Sequence, residues 1–136
     1  MAMLDTNICI YILKNMPPQV KEQLKVQNRV SISTVVYAEL CFGIQRSPEH
    51  LQAQRNRQLL QFVSLLAVVP WDQAAAHHYA EIRADLQQRG MVIGNIDLLI
   101  AAHARSLNEV LVSNNLREFQ RVVGLRLENW AEAQSE

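Results

Sequence analysis

A chain of 136 residues has room for one domain with a single sizeable core. Its residues are 49% hydrophobic and 19% charged, and thirteen basic residues balance thirteen acidic ones. That composition excludes a disordered tail and broad, non-specific nucleic-acid binding, while leaving room for a local basic patch and for self-association. Cys9 and Cys41 fit no zinc spacing and no disulfide framework, and both are expected as buried free thiols. The first residues lack the basic and apolar regions of a signal peptide, and no apolar run reaches membrane-spanning length. The expectation is a soluble cytoplasmic protein with no membrane partner.

In chain order, Met1–Leu4 is a short apolar run ending at Asp5, the form of a buried strand with a polar group at its carboxyl end. Asn7 to Leu13 reads as a first helix, and Pro17–Pro18 starts a second that runs to about Gln27. Val30–Ser33 alternates as a strand, and Ser33 or Thr34 caps a helix through about Gln45. Pro48 opens a helix to about Leu66 with Arg55 and Arg57 on its polar side. Ala67–Trp71 is a third strand, Asp72 caps the next helix to about Arg89, and Gly90 ends it. Asn95 is the expected N-cap of a helix whose core stripe is Ile96, Leu99, Ile100, His103 and Leu107. Val110–Val112 and Leu125–Leu127 complete the strands, and the polar tail 131–136 is expected to fray. The order gives one α/β domain over 1–136, with a mainly parallel central sheet of about four to five short strands.

Three acids stand out. Asp5 ends a strand, where such sheets bind their ligands. Asp97 falls in the first turn of its helix, where the dipole favours negative charge. Glu39 has Val35, Val36, Phe42 and Gly43 as helix-surface neighbours, an apolar setting that calls for a cation or hydrogen bonds in compensation. Convergence of the three would raise their pKa values, and a hard divalent cation would remove the conflict. Oxygen donors suit Mg²⁺ or Mn²⁺ and point to phosphodiester hydrolysis. Spacing alone leaves convergence open.

The stretches Leu4–Asp5–Thr6–Asn7, Ala38–Glu39–Leu40 with Gly43, Ile93–Gly94 to Asp97 with Ile100–Ala101, and Leu111 to Asn115 with Glu118–Phe119 resemble, in order, those of PIN-domain ribonucleases of the VapC toxin type. The resemblance covers roughly Met1 to Trp130. It implies a PIN-like fold and a metal-dependent endoribonuclease toxin acting on RNA. It further implies tRNA, cut at the anticodon stem-loop, with initiator tRNA among the candidates, as substrate. A VapB-type antitoxin, a homodimer, a larger assembly with the antitoxin, and DNA contact only through that antitoxin are implied as well. By position, Asp5, Glu39 and Asp97 would be the metal-binding carboxylates, Asn7 would steady the Asp5 loop, and Ser113 would fill the Ser/Thr position of the last motif. Many relatives carry Asp where this chain has Asn115, and Glu118 is the expected substitute. An amide oxygen at Asn115 could still position a water.

Other polar residues take ordinary readings. His103 is expected as a satisfied core histidine, while His77 and His78 are expected at a surface or edge. Glu81 and Asp85 read as solvated faces, and Trp71 and Trp130 as core or interface anchors. Arg46, Arg55, Arg57, Arg83, Arg89, Arg117 and Arg121 read as solvated by default, with Arg117 and then Lys14 the favoured RNA contacts. A phosphoacceptor receiver domain is disfavoured, since Asp5 is not part of an acidic pair and no Lys follows Lys25. A catalytically silent PIN-like module that only binds RNA or protein is the remaining alternative.

Overall fold

Five parallel strands form the centre of the molecule, in the order β3-β2-β1-β4-β5. A computed structural model describes residues 2–15, 18, 22, 24 and 30–130. Most of the expected second helix, and the tail after Trp130, lie outside those residues. The strands are β1 (Ala2–Leu4), β2 (Val30–Ser33), β3 (Ala67–Val69), β4 (Val110–Val112) and β5 (Leu127–Glu128). The first strand is central, with Leu4 in register with Ile32 of β2 on one side and Val112 of β4 on the other. Helices α1 (Thr6–Asn15), α2 (Thr34–Gln45), α3 (Glu49–Val63), α4 (Gln73–Gln88) and α5 (Asn95–Ser106) flank the sheet.

Burial of β2 differs from the expected alternation. All four residues Val30–Ser33 are buried, because the strand is interior to a parallel sheet covered on both faces. The edge strand β3 is largely exposed. The helix ends follow local chemistry. Ser33 Oγ accepts the Val35 N–H at 3.1 Å, Asp72 Oδ1 accepts the Ala75 N–H at 3.0 Å, and Gly90 leaves α4 with φ +66°.

Helix α5 departs most from expectation. Gly94, not Asn95, is its N-cap, and Asn95 is the first helical residue. Its buried residues are Leu98, Ile100, Ala101, Ala102, His103 and Ala104, whereas Ile96 and Leu107 are 37% and 38% exposed. A stripe traced through large side chains overlooks the alanines, whose small volume lets the helix pack closely on α4 and the sheet at once. Trp71 donates from Nε1 to the Leu99 carbonyl at 2.9 Å and meets Tyr79 edge-on, while Trp130 is buried. Cys9 is buried as expected, but Cys41 is only half-buried.

Candidate active site

Asp5 belongs to two elements at once. Its backbone N–H donates to the Val112 carbonyl at 3.0 Å, extending the β1–β4 ladder by one residue. Its Oδ1 accepts the Ile8 N–H at 2.8 Å, so it also caps the first turn of α1. The side chain is 1% exposed, and burial pushes its carboxyl above the usual range, against the opposing influence of the Ser113 hydroxyl and the Ile8 amide. Ser113, fully buried at the end of β4, also shapes the next turn, since its Oγ accepts the Asn115 N–H at 2.9 Å. Cys9, one turn into α1, has its thiol pushed well above the ordinary value by burial and by Asp5, which leaves it an inert core residue.

Asp97 lies in the first turn of α5, partly buried, and meets Glu118 from the segment that follows β4. Burial, the hydrogen bond with Glu118, that acid's charge and the more distant charge of Asp5 together push Asp97 up to about 7. Near neutral pH the Asp97 carboxyl is therefore part protonated. Glu118 also comes close to the helix entry. Its Oε1 stands 4.0 Å from where a Cβ on Gly94 would be.

The structure therefore gathers Asp97 and Glu118, with Asp5 within electrostatic reach. Glu39 is half-buried on α2 and lines a neighbouring groove of about 600 Å³ with Ile10, Lys14, Gly43 and Arg55. Among the described residues, no three of the His, Cys, Asp and Glu side chains stand close enough to cage a cation. The donor set fits an ion that takes one or two carboxylates and completes its shell with water and substrate oxygens, as Mg²⁺ does. Asn7, Asn115 and Arg117 are exposed around the site.

Comparison with known proteins decides the family. Residues 2–125 match the PIN domain. The tRNA(fMet)-specific endonuclease VapC of Shigella flexneri is 44% identical over 131 residues, 95% of this chain and 97% of that protein. Ribonuclease VapC2 of Rickettsia felis is 40% identical over 131 residues, 94% of this chain and 96% of the relative. The chain belongs to the VapC ribonucleases of the PIN-domain family. It superimposes on the DNA-bound VapBC structure from Salmonella typhimurium with a TM-score of 0.91 at 39% identity, covering 95% of this chain and 97% of that one. The Rickettsia felis VapBC2 structure bound to promoter DNA gives 0.90 at 39% identity, over 95% and 98% of the two chains. As in other VapC proteins, the activity is that of a ribonuclease, the toxin half of a toxin–antitoxin pair.

Two expectations need correction. His103 is buried, but neither ring nitrogen has a hydrogen-bond partner among the described residues, and burial lowers its pKa. Arg121 is half-buried rather than solvated and donates to the Val92 carbonyl, while Arg89, exposed as expected, also donates to the Arg121 carbonyl. Arg105, which had drawn no reading, binds His78, Glu81 and Val123. None of this carries a local signal. Helical periodicity marks which face is apolar and says nothing of a carbonyl presented by a distant loop.

Proposed function

We propose that this VapC hydrolyses tRNA within the anticodon stem-loop, with initiator tRNA the first candidate, using Mg²⁺ or Mn²⁺. The observation that carries the chemistry is the Asp97–Glu118 contact beside buried Asp5, an arrangement costly in itself and relieved by a divalent cation. The substrate follows the Shigella flexneri and Salmonella typhimurium relatives, both named tRNA(fMet)-specific endonucleases.

In this reading Asp97 and Asp5 hold the cation, with Glu118 and Glu39 contributing directly or through water. When bound, the cation lowers the pKa of the attacking water and balances charge on the departing oxygen. The chain's own residues supply the rest. Asp5 is fixed by the Ile8 amide on its Oδ1 and by its own N–H on the Val112 carbonyl, so its carboxylate is preorganised. Because the Asp97 carboxyl is pushed up to about 7, metal affinity would depend on pH through Asp97. Asn7, exposed in the first turn of α1, and Asn115, exposed after β4, would assist from the rim of the site. Arg117, one residue before Glu118, and Lys14, in the groove beside Glu39, meet RNA phosphates.

The partner is a VapB-type antitoxin, as the VapBC structures of relatives indicate. A homodimer, a larger assembly with the antitoxin, DNA contact through that antitoxin alone, and a cytoplasmic location complete the reading. Among the described residues no helix is long and apolar enough to cross a membrane.

Cleavage of a synthetic initiator tRNA stem-loop with Mg²⁺, stopped by EDTA, is the expected result. Unchanged cleavage by Asp97→Asn would remove the proposed site. Stem-loop binding with no cleavage under any divalent cation would favour the silent module.

A further inference from the structure

Glu118 stands at the entry of α5, its Oε1 4.0 Å from where a Cβ on Gly94 would be, and so faces the first turn that carries Asp97, on a segment whose only regular element is the short 3₁₀ turn Phe119–Arg121. Some part of the chain must hold the two acids together, and three arginines are placed to do so. Arg89, at the end of α4, donates from Nη2 to the Arg121 carbonyl at 2.6 Å while bound to Asp85 through Nε and Nη2. Arg105, on the last turn of α5, donates from Nη1 to the Val123 carbonyl at 3.0 Å. It is oriented by Glu81 Oε1 at 2.6 Å and His78 Nδ1 at 2.8 Å. Arg121 itself reaches back to donate from Nη1 to the Val92 carbonyl at 2.9 Å.

The last bond matters most for the site. Val92 lies on the short connection from Gly90 to Gly94, which delivers the chain into α5 and so sets where Asp97 starts. Arg121 lies three residues after Glu118. One guanidinium thus links the backbone carrying the first acid to the backbone carrying the second. Phe119 and Val122, 2% and 5% exposed, anchor the same segment in the core from the other side. The acceptors are neutral backbone carbonyls, so the links do not draw on the charge of either acid.

We infer that Arg121, backed by Arg89 and Arg105, is a positioning residue that holds Glu118 against Asp97 and thereby sets the affinity of the site for its divalent cation. This rests on the proposed role of Glu118 as a cation-binding acid. Groups that orient metal ligands typically change metal affinity by about tenfold or more when they are removed.

The test is Mn²⁺ binding to RNA-free protein, followed by calorimetry, for Glu118→Gln, Arg121→Gln and the double variant, beside stem-loop cleavage over a range of Mg²⁺ concentrations. Arg121→Gln is expected to weaken Mn²⁺ binding about tenfold. Its cleavage rate at saturating Mg²⁺ should stay within about twofold of the parent, and Arg121→Lys should recover part of the loss. Adding Arg121→Gln to Glu118→Gln should change Mn²⁺ binding no further, because the staple acts through that acid. Wild-type Mn²⁺ affinity in Arg121→Gln, or losses that multiply in the double variant, would overturn the inference. No change in Glu118→Gln alone would instead overturn the role of Glu118. If Arg121→Gln fails to fold, Arg105→Gln carries the same expectation and the same overturning result.

Discussion

The two ends of the proposed reaction surface are built differently. Around Asp97 and Glu118, the chain is cross-linked by polar bonds between residues distant in sequence, through Arg89, Arg105 and Arg121. Around Glu39, the groove between α1, α2 and α3 is lined by Ile10, Leu13, Leu40, Ile44 and Leu59, with Lys14 and Arg55 among its polar groups. The first region is finished within the chain. The second is concave, mixed in polarity and open, as a surface awaiting a partner is. The difference teaches that the backbone carrying Asp97 and Glu118 is cross-linked by the fold, while the lone acid on α2 lines an open groove.

The comparison breaks most sharply at Asp97. Asp97→Asn should slow stem-loop cleavage by about 100-fold or more, the equivalent of ~3 kcal/mol of lost charge stabilisation. Asp5→Asn should do the same. If Glu39→Gln matches them, Glu39 joins the same cluster once the cation and RNA are in place; if it falls well short, the two regions are separate in function too.

Gly43 sharpens the other side. A Cβ there meets nothing within 4 Å, and the residue lies inside α2 on the groove wall. Gly43→Ala should therefore stabilise the fold by up to about 1 kcal/mol in thermal unfolding and leave cleavage unchanged. Gly43→Phe should block the groove, so that pull-down with the antitoxin falls off. Full antitoxin binding by that variant would move the docking surface elsewhere.

Protons distinguish the regions next. Asp97 is raised from 3.8 to about 7, and Asp5 is raised as well, so the metal-free native state holds more protons than the unfolded chain across that range. Stability should fall as pH rises from about 4 through 7, and Mg²⁺ should restore it at neutral pH and above. Melting temperatures with and without EDTA measure this directly. Asp97→Asn should flatten the slope. Calorimetry in buffers of different ionisation enthalpy should show protons released as Mg²⁺ binds.

The smallest expected effect is at His103. Its pKa is lowered from 6.5 by burial, so stability present above 6.5 is lost as pH falls through the folded value. His103→Leu should remove that acid-side loss without touching cleavage, as melting between pH 5 and 7 would show.

Much of this was legible in the chain. Strand ends, caps at Ser33 and Asp72, and the Gly90 stop are local decisions of local chemistry. Asp5 and Asp97 were visible because an acid at the end of an apolar strand or inside an apolar helix is conspicuous. The face of α5 was misread because alanines bury well while contributing little to a hydrophobic pattern. The arginine bonds were invisible because they join a side chain to a backbone carbonyl supplied by a different part of the fold. Glu118 lay between these extremes, noticed only because Asn115 lacks the expected charge.

The central place of β1 also bears on when the toxin can form. Its neighbours in the sheet are β2 and β4, and Asp5 hangs its amide on Val112. During synthesis the first strand emerges early and must wait for nearly the whole chain before its second neighbour exists. Asp5, Asp97 and Glu118 can meet only at the last stage of folding. The proposed site can therefore assemble only after β4 has paired with β1, so a chain that lacks residues 110–112 should show no cleavage.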